Sequence, residues 1–480
     1  MVENSGILAI RDVLARMDPK SSASAAAPLP LDEIYTPTSH GLALDPRRPL
    51  VVGNRGVGKS VWSGVLADNS TRQAVSAYYP ALGLDRMAVQ LGFHEGAGKT
   101  EGIAPSPAVL SSLLSKNISP ETIWSAVLLR AVAPNLNIVL PEMLEELVAW
   151  MLQNVEKSEE ILRKADQYFA SKKSVFVLVF DALDRLASNW HEIRRLTEGV
   201  LRLALGMQSY RSLRAKVFLR TDQAKDEVLF RFPDASKMRA SRVELTWHAV
   251  ELYGLLFKII QRDEKANLAL QKIAGDFFAP AAREVDDVQK IIFSRIAGEF
   301  MGSDHRRGRT YTWLINHLAD AFGETTPRSF LITLNRAANS RVKPTNFVID
   351  HLGIREGVQA ASEVRVDQLG EDYPWIRRVL KDLEGLEVPC PPSSFTRRWA
   401  DRKTIEEVRA GALENLRPGP LELENSTSDA EVALLDAVKN IGVVEERSLD
   451  RVNMPDIFRV AAGIKRRGGV RPPFSGKQRS

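Results

Sequence analysis

The sequence predicts an α/β fold: a parallel-sheet core, a helical lid and a small C-terminal winged-helix-like module. Three observations predict it. A glycine-rich segment, Gly53-Asn54-Arg55-Gly56-Val57-Gly58-Lys59-Ser60, follows a short apolar run and precedes an amphipathic stretch. Ser174 to Asp181 is an apolar run ended by an acid, which suits a strand buried on both faces of a parallel sheet. Strand and helix patterns alternate from Leu50 to Trp247 and then give way to helical periodicity.

The first segment reads G-x-x-x-x-G-K-S between strand and helix, the context that a phosphate-binding loop needs. Its glycines let the backbone wrap an anion, and the helix that follows presents its positive dipole end. The core is therefore expected to be of the P-loop NTPase type. Gly53, Asn54, Arg55, Gly56, Val57, Gly58, Lys59 and Ser60 would bind ATP. Lys59 would reach the β- and γ-phosphates, and the Ser60 hydroxyl would ligate Mg²⁺. Asp181, at the carboxyl end of its strand, would hold Mg²⁺ through a water; an N-cap role is the plainer alternative. Asp184, three residues on, would orient the attacking water, unless it is a surface charge paired with Arg185.

The elements follow in order. Residues 7–17 form a short amphipathic helix, which either stands apart or packs back on the core. Residues 21–30, rich in Ser, Ala and Pro, read as a linker. Strands are expected at 50–52, 74–79, 174–180, 215–221 and 242–247. Helices are expected at 59–67, 107–116, 119–131, 141–156, 159–171 and 190–207. Further helices at 249–262, 266–276, 286–300, 313–322, after Pro327 and at 364–386 make the lid. A proline-rich break at 387–394 contains the single cysteine, Cys390, read as a linker residue. Helices at 402–415 and 430–440 and a hairpin within 443–454 complete a winged-helix-like pattern. The domains are thus 1–30, 31–248 with a helical insertion at about 81–171, 249–386 and 387–480.

Val175 to Asp184, V-F-V-L-V-F-D-A-L-D, resembles the second acidic motif of STAND and NACHT ATPases, relatives of the AAA+ and origin-recognition ATPases. Arg185 stands where those families carry another acid. Arg220-Thr221-Asp222 resembles their polar sensor, which implies that Thr221 and Asp222 read the γ-phosphate. Pro327-Arg328 resembles their second sensor, which implies that Arg328 ties the lid to phosphate; a surface charge at a helix start is the alternative. The chain as a whole resembles bacterial P-loop ATPases encoded near phage-defence genes. The resemblance implies an ATPase switch that assembles with a protein partner or with itself.

Composition limits the other classes. One cysteine excludes an intrachain disulfide and a cysteine-rich metal site, so a cytoplasmic home is expected. No apolar run approaches the roughly 18 residues of a membrane span, and no leader is expected at the charged N-terminus. Of the net charge of +5, six positive charges lie from Lys465 to the end, which leaves −1 elsewhere. That tail and the C-terminal module are a possible nucleic-acid contact, or else a solvated terminus. Gly96-Ala97-Gly98-Lys99-Thr100 also reads G-K-T, but Phe93 replaces the leading glycine and no strand is expected before it. His305-Arg306-Arg307-Gly308-Arg309 is a dense basic loop, and no metal-ligand spacing is evident.

Overall fold

The computed structural model describes residues 4–19, 25–278, 285–414, 419–424 and 429–467. The chain forms two compact units, Ser22–Leu245 and Met1–Ser21 with Thr246–Ser480.

The first unit is an α/β P-loop core. Five strands, β1 (Leu50–Gly53), β2 (Met87–Phe93), β3 (Val175–Phe180), β4 (Leu213–Arg220) and β5 (Val243–Glu244), form one sheet in the order β2-β3-β4-β1-β5. Every pairing is parallel. β3 shows why a continuous apolar run is needed. Phe176, Leu178 and Phe180 pack into the cluster built with the insertion helices, while Val177 and Val179 point the other way and are equally buried. Trp124, from the helix Pro120–Val132, meets Phe180 edge-on at 5.4 Å and donates its indole N–H to Leu196 O. β4 lies between β1 and β3, so three carboxyl ends converge: Gly53, Arg220 and the residue after Phe180.

One expected strand is a helix. Residues 74–76 close the helix Asn69–Ser76, which Asp68 caps by accepting from Thr71 N, and 77–79 turn out of it. The strand is β2 instead, a half-exposed edge interrupted by Gly92, with too little apolar alternation to stand out.

β4 also carries Lys216, fully buried, whose ammonium donates to Asp45 O and Arg48 O at 2.6 and 2.5 Å. Burial, only partly opposed by the Asp45 charge, lowers its pKa to about 7. The unfolded chain, with a lysine pKa of about 10.4, then binds more protons than the folded one from pH ~7 upward. Stability should therefore rise with pH across that window. The urea midpoint is expected to increase from pH 7.5 to 9.5, and the increase should shrink in Lys216→Met.

The second unit is helical. Its N-terminal helix, Asn4–Arg16, packs back: Ile7, Ile10 and Leu14 enter the core, and Arg11 donates to Val348 O and Phe347 O, both at 2.7 Å. Asn335 closes the helix by donating to Leu14, Ala15 and Met17 carbonyls. Residues 20–24, most of the expected linker's start, lie outside the described residues.

The longest helix, His351–Asp372, extends well ahead of the expected 364–386, which divides between it and Ile376–Asp382. Its buried face mixes Ile354, Val358 and Leu369 with glycines and with polar Ser362, Arg365 and Gln368, which hid it. A Cβ at Gly357 would lie 2.3 Å from Thr333 O, and one at Gly353 2.9 Å from Ala337 O, on the helix Pro327–Ala338. Gly357→Ala should force these helices apart and cost about 1–3 kcal/mol, an overpacking cost readable in a thermal melt.

The C-terminal part contains helices Pro392–Asp401, Thr404–Glu414 and Ala430–Asn440. The hairpin β7 (Glu445–Arg447) and β8 (Arg451–Asn453) follows. The break at 387–394 is packed, not a linker. β6 (Glu387–Val388) pairs with β9 (Lys465–Arg466), and buried Cys390 exchanges two backbone hydrogen bonds with Val452. Lys465 and Arg466 thus belong to a strand; residues 468–480 of the basic tail lie outside the described residues.

Candidate functional site

β1 delivers the chain to the loop. Gly53 leaves no room for a side chain, since a Cβ there would lie 2.7 Å from Val57 Cγ2. Gly56 and Gly58 have φ of 79° and 99°, the left-handed region that glycine enters without strain. In front of Gly58 the space is open, with no atom within 4 Å of an added Cβ. The helix Lys59–Ala67 starts there. Lys59 Nζ donates to Gly53 O at 2.8 Å and Asn54 O at 2.9 Å, so the cation is held over the loop. Buried Trp62 anchors the helix through its indole N–H to His40 Nδ1, 3.0 Å away.

Asp181 is 3% exposed and follows β3 directly. Its backbone N donates to Phe93 O at the end of β2. Ser63 Oγ donates to Asp181 Oδ2 at 2.9 Å, and Ser63 stands three residues after Ser60 on the same helix. The carboxylate is thereby fixed beside the turn that carries Ser60. Next to Phe93, burial lowers the His94 pKa while the Asp181 charge opposes it. Sequence reasoning missed Ser63 and His94; the one-turn spacing from Ser60 was the available signal for the first.

Asp184 lies on a 3₁₀ turn, Leu183–Arg185, after Ala182 at φ 56°. Its Oδ2 takes Arg220 Nη1 at 3.1 Å and Arg55 Nη2 at 3.5 Å. Burial pushes the Asp184 carboxyl up, but the Arg220 and Arg55 guanidiniums outweigh it and hold the pKa below the ordinary carboxylate value. Asp184 therefore pairs with these two, while Arg185 turns to Glu95 at the surface. Arg220 also forks onto Asp222, with Nε to Oδ1 at 2.9 Å and Nη2 to Oδ2 at 2.7 Å. Thr221 opens the short helix Thr221–Lys225. The sensor segment thus contributes an arginine that the sequence reading passed over for its two neighbours. Its position as the last residue of β4, in register with Gly53, marks it. Arg328 belongs to the other unit, second in the helix Pro327–Ala338, whose N-cap Thr326 accepts from Ser329 N.

The second G-K-T segment does follow a strand, contrary to expectation, because β2 ends at Phe93. No helix starts at Lys99, however. Gly98 packs on Ser106 and Thr100 Oγ1 donates back to Gly96 O, so the helix N-terminus that a phosphate loop needs is lacking. The 305–309 loop holds a 3₁₀ turn, His305–Arg307, closed by a Phe300–Arg309 bridge. Among the described residues no cluster of three or more His, Cys, Asp and Glu suits a metal. Mg²⁺ in a phosphate site needs no such cluster, because one or two carboxylates and the phosphates suffice. Among the described residues no helix is long and apolar enough to cross a membrane.

No family model and no curated protein matches the chain. Among the solved structures similar to it are two archaeal proteins. Cdc6p from Pyrobaculum aerophilum is 12% identical, with 86% of this chain and 84% of that one covered, at a TM-score of 0.28. The ORC2 protein of Aeropyrum pernix, solved as ADPNP–ADP complexes, is 11% identical, with 86% and 85% covered, at a TM-score of 0.37. Likenesses this distant carry no argument here; the fold and the site rest on the chain's own geometry.

Proposed function

We propose that the chain is an ATP-binding switch ATPase that hydrolyses the γ-phosphate slowly. The observation that carries this reading is the Ser63–Asp181 hydrogen bond, which holds a buried carboxylate against the helix of a formed phosphate loop. The residues fit a magnesium nucleotide. Gly58 opens on free space, Lys59 places its own ammonium over the loop, and Ser60 and Asp181 offer a hydroxyl and a carboxylate in one neighbourhood.

Loop residues Gly53 to Ser60 would hold the phosphates, with Lys59 exchanging its two carbonyl partners for phosphate oxygens. Ser60 and Asp181 would hold Mg²⁺, which supplies charge neutralisation for phosphoryl transfer. Asp184 would orient water, Thr221 and Asp222 would sense the γ-phosphate, and Arg328 would report it to the helical unit. A cytoplasmic, partner-assembling switch in bacterial phage defence is the setting the motif resemblance favours.

Two other readings have observations of their own. The C-terminal helices followed by the β7–β8 hairpin favour a winged-helix-like module, and with it a DNA-bound initiator or loader. The ion-paired Asp184 and the Arg185 substitution favour a scaffold that binds ATP without turnover. Sedimentation with and without ATP, then with duplex DNA, separates the three. ATP-dependent assembly with phosphate release supports the switch. A DNA-dependent shift supports the initiator, and assembly without phosphate release supports the scaffold.

A further inference from the structure

We propose that Arg55 and Arg220 form a clamp on Asp184 that nucleotide phosphate must open, so that filling the loop and freeing the water-orienting carboxylate are one event. This rests on the ATP-binding reading above. The geometry is specific to this chain. Arg55 is part of the loop itself, and Arg220 ends β4 in register with Gly53, so the two cations reach Asp184 from neighbouring strand ends. Both address the same oxygen, Oδ2, at 3.5 and 3.1 Å. Arg220 is largely buried and its remaining edge is spent on Asp222. Arg220 is thus shared between two aspartates, and Asp184 draws Arg55 as well, before any phosphate arrives.

A polyphosphate in the loop changes that balance. It carries more negative charge than a carboxylate and matches the guanidinium fork as well. Arg55, fixed in the loop, is drawn to it first, and Arg220, at the same level of the sheet, follows. Asp184 repels the incoming phosphate and loses its cations together, which leaves its carboxylate to accept from water. The clamp also explains how Asp184 can be an ion-paired residue in this structure and a water-orienting one with nucleotide.

The clamp has a binding signature independent of turnover. Opening it costs affinity, so Asp184→Asn should bind a non-hydrolysable ATP analogue more tightly than wild type, by about tenfold for a partly buried charge pair. Removing a negative charge near phosphate would tighten binding as well. The Arg220→Gln background separates the two: plain charge removal gives the same gain there, whereas the clamp gives a gain at least threefold smaller. Calorimetric titration of wild type, Asp184→Asn, Arg220→Gln and the double variant reads all four affinities. Asp184→Ser completes the same cycle if Asp184→Asn folds poorly, as a circular-dichroism melt would show. Equal gains in both backgrounds, or no gain, overturn the clamp and leave ATP binding standing. No analogue binding by wild type overturns the nucleotide site and the clamp with it.

Discussion

Lys59→Ala is expected to weaken ATP binding by about a hundredfold or more, the cost of losing charge-assisted hydrogen bonds of about 1.5–3 kcal/mol each. In the structure the ammonium serves two loop carbonyls, Gly53 O and Asn54 O. Neither bond holds the core together, because β1 is fixed by its ladders to β4 and β5. The variant should therefore melt within a few degrees of wild type without nucleotide. Loss of affinity with an intact fold identifies Lys59 as a phosphate ligand. A collapsed fold would make it structural, and unchanged affinity would exclude the loop as the site.

Asp184→Asn should lower phosphate release by about 10²–10⁴-fold, the usual range for removing a positioned general base, while ATP still binds. The amide keeps size and polarity but cannot take a proton from water. The ordinary surface-charge alternative predicts no such loss. Asp184 sits below its normal pKa, so its ion pairs contribute stability above about pH 4 that is lost as pH falls through the folded value. The variant should accordingly show a flatter acid limb in a pH series of melts. Wild-type turnover in Asp184→Asn would assign water activation to another residue or to a partner chain.

The parts of the site that depend on local sequence were legible in it. Strand, loop and helix around Gly53–Ser60 follow from one apolar run, two left-handed glycines and an amphipathic helix. β3 and Asp181 were legible because burial on both faces leaves a continuous apolar signature. The hairpin around Ser448–Asp450 was legible from alternation, with Leu449 and Asp450 taking positive φ at its tip.

The remainder depends on what comes together in space. β2 is an edge strand with a weak pattern, and the first half of the segment expected as a strand at 74–79 ends the helix Asn69–Ser76, which Asp68 caps. The helix His351–Asp372 meets the helix Pro327–Ala338 through Gly353 and Gly357, and buried Ser362, Arg365 and Gln368 interrupt the apolar stripe of Ile354, Val358, Ala361 and Leu369. Cys390 looked like linker because prolines flank it, yet Val452 pairs with it from more than sixty positions away in the chain. Arg220 was overlooked for a related reason. Its role comes from register with Gly53 and from Asp184 across the sheet, and no local motif encodes either.

Calorimetric titration of the wild-type chain with ATP, with and without Mg²⁺, tests the central claim most directly. The account predicts saturable one-to-one binding that tightens with Mg²⁺, with the Mg²⁺ gain lost in Asp181→Asn, because Asp181 and Ser60 share one neighbourhood beside the loop. Absence of binding at millimolar ATP, or binding indifferent to both Mg²⁺ and Asp181, would contradict it.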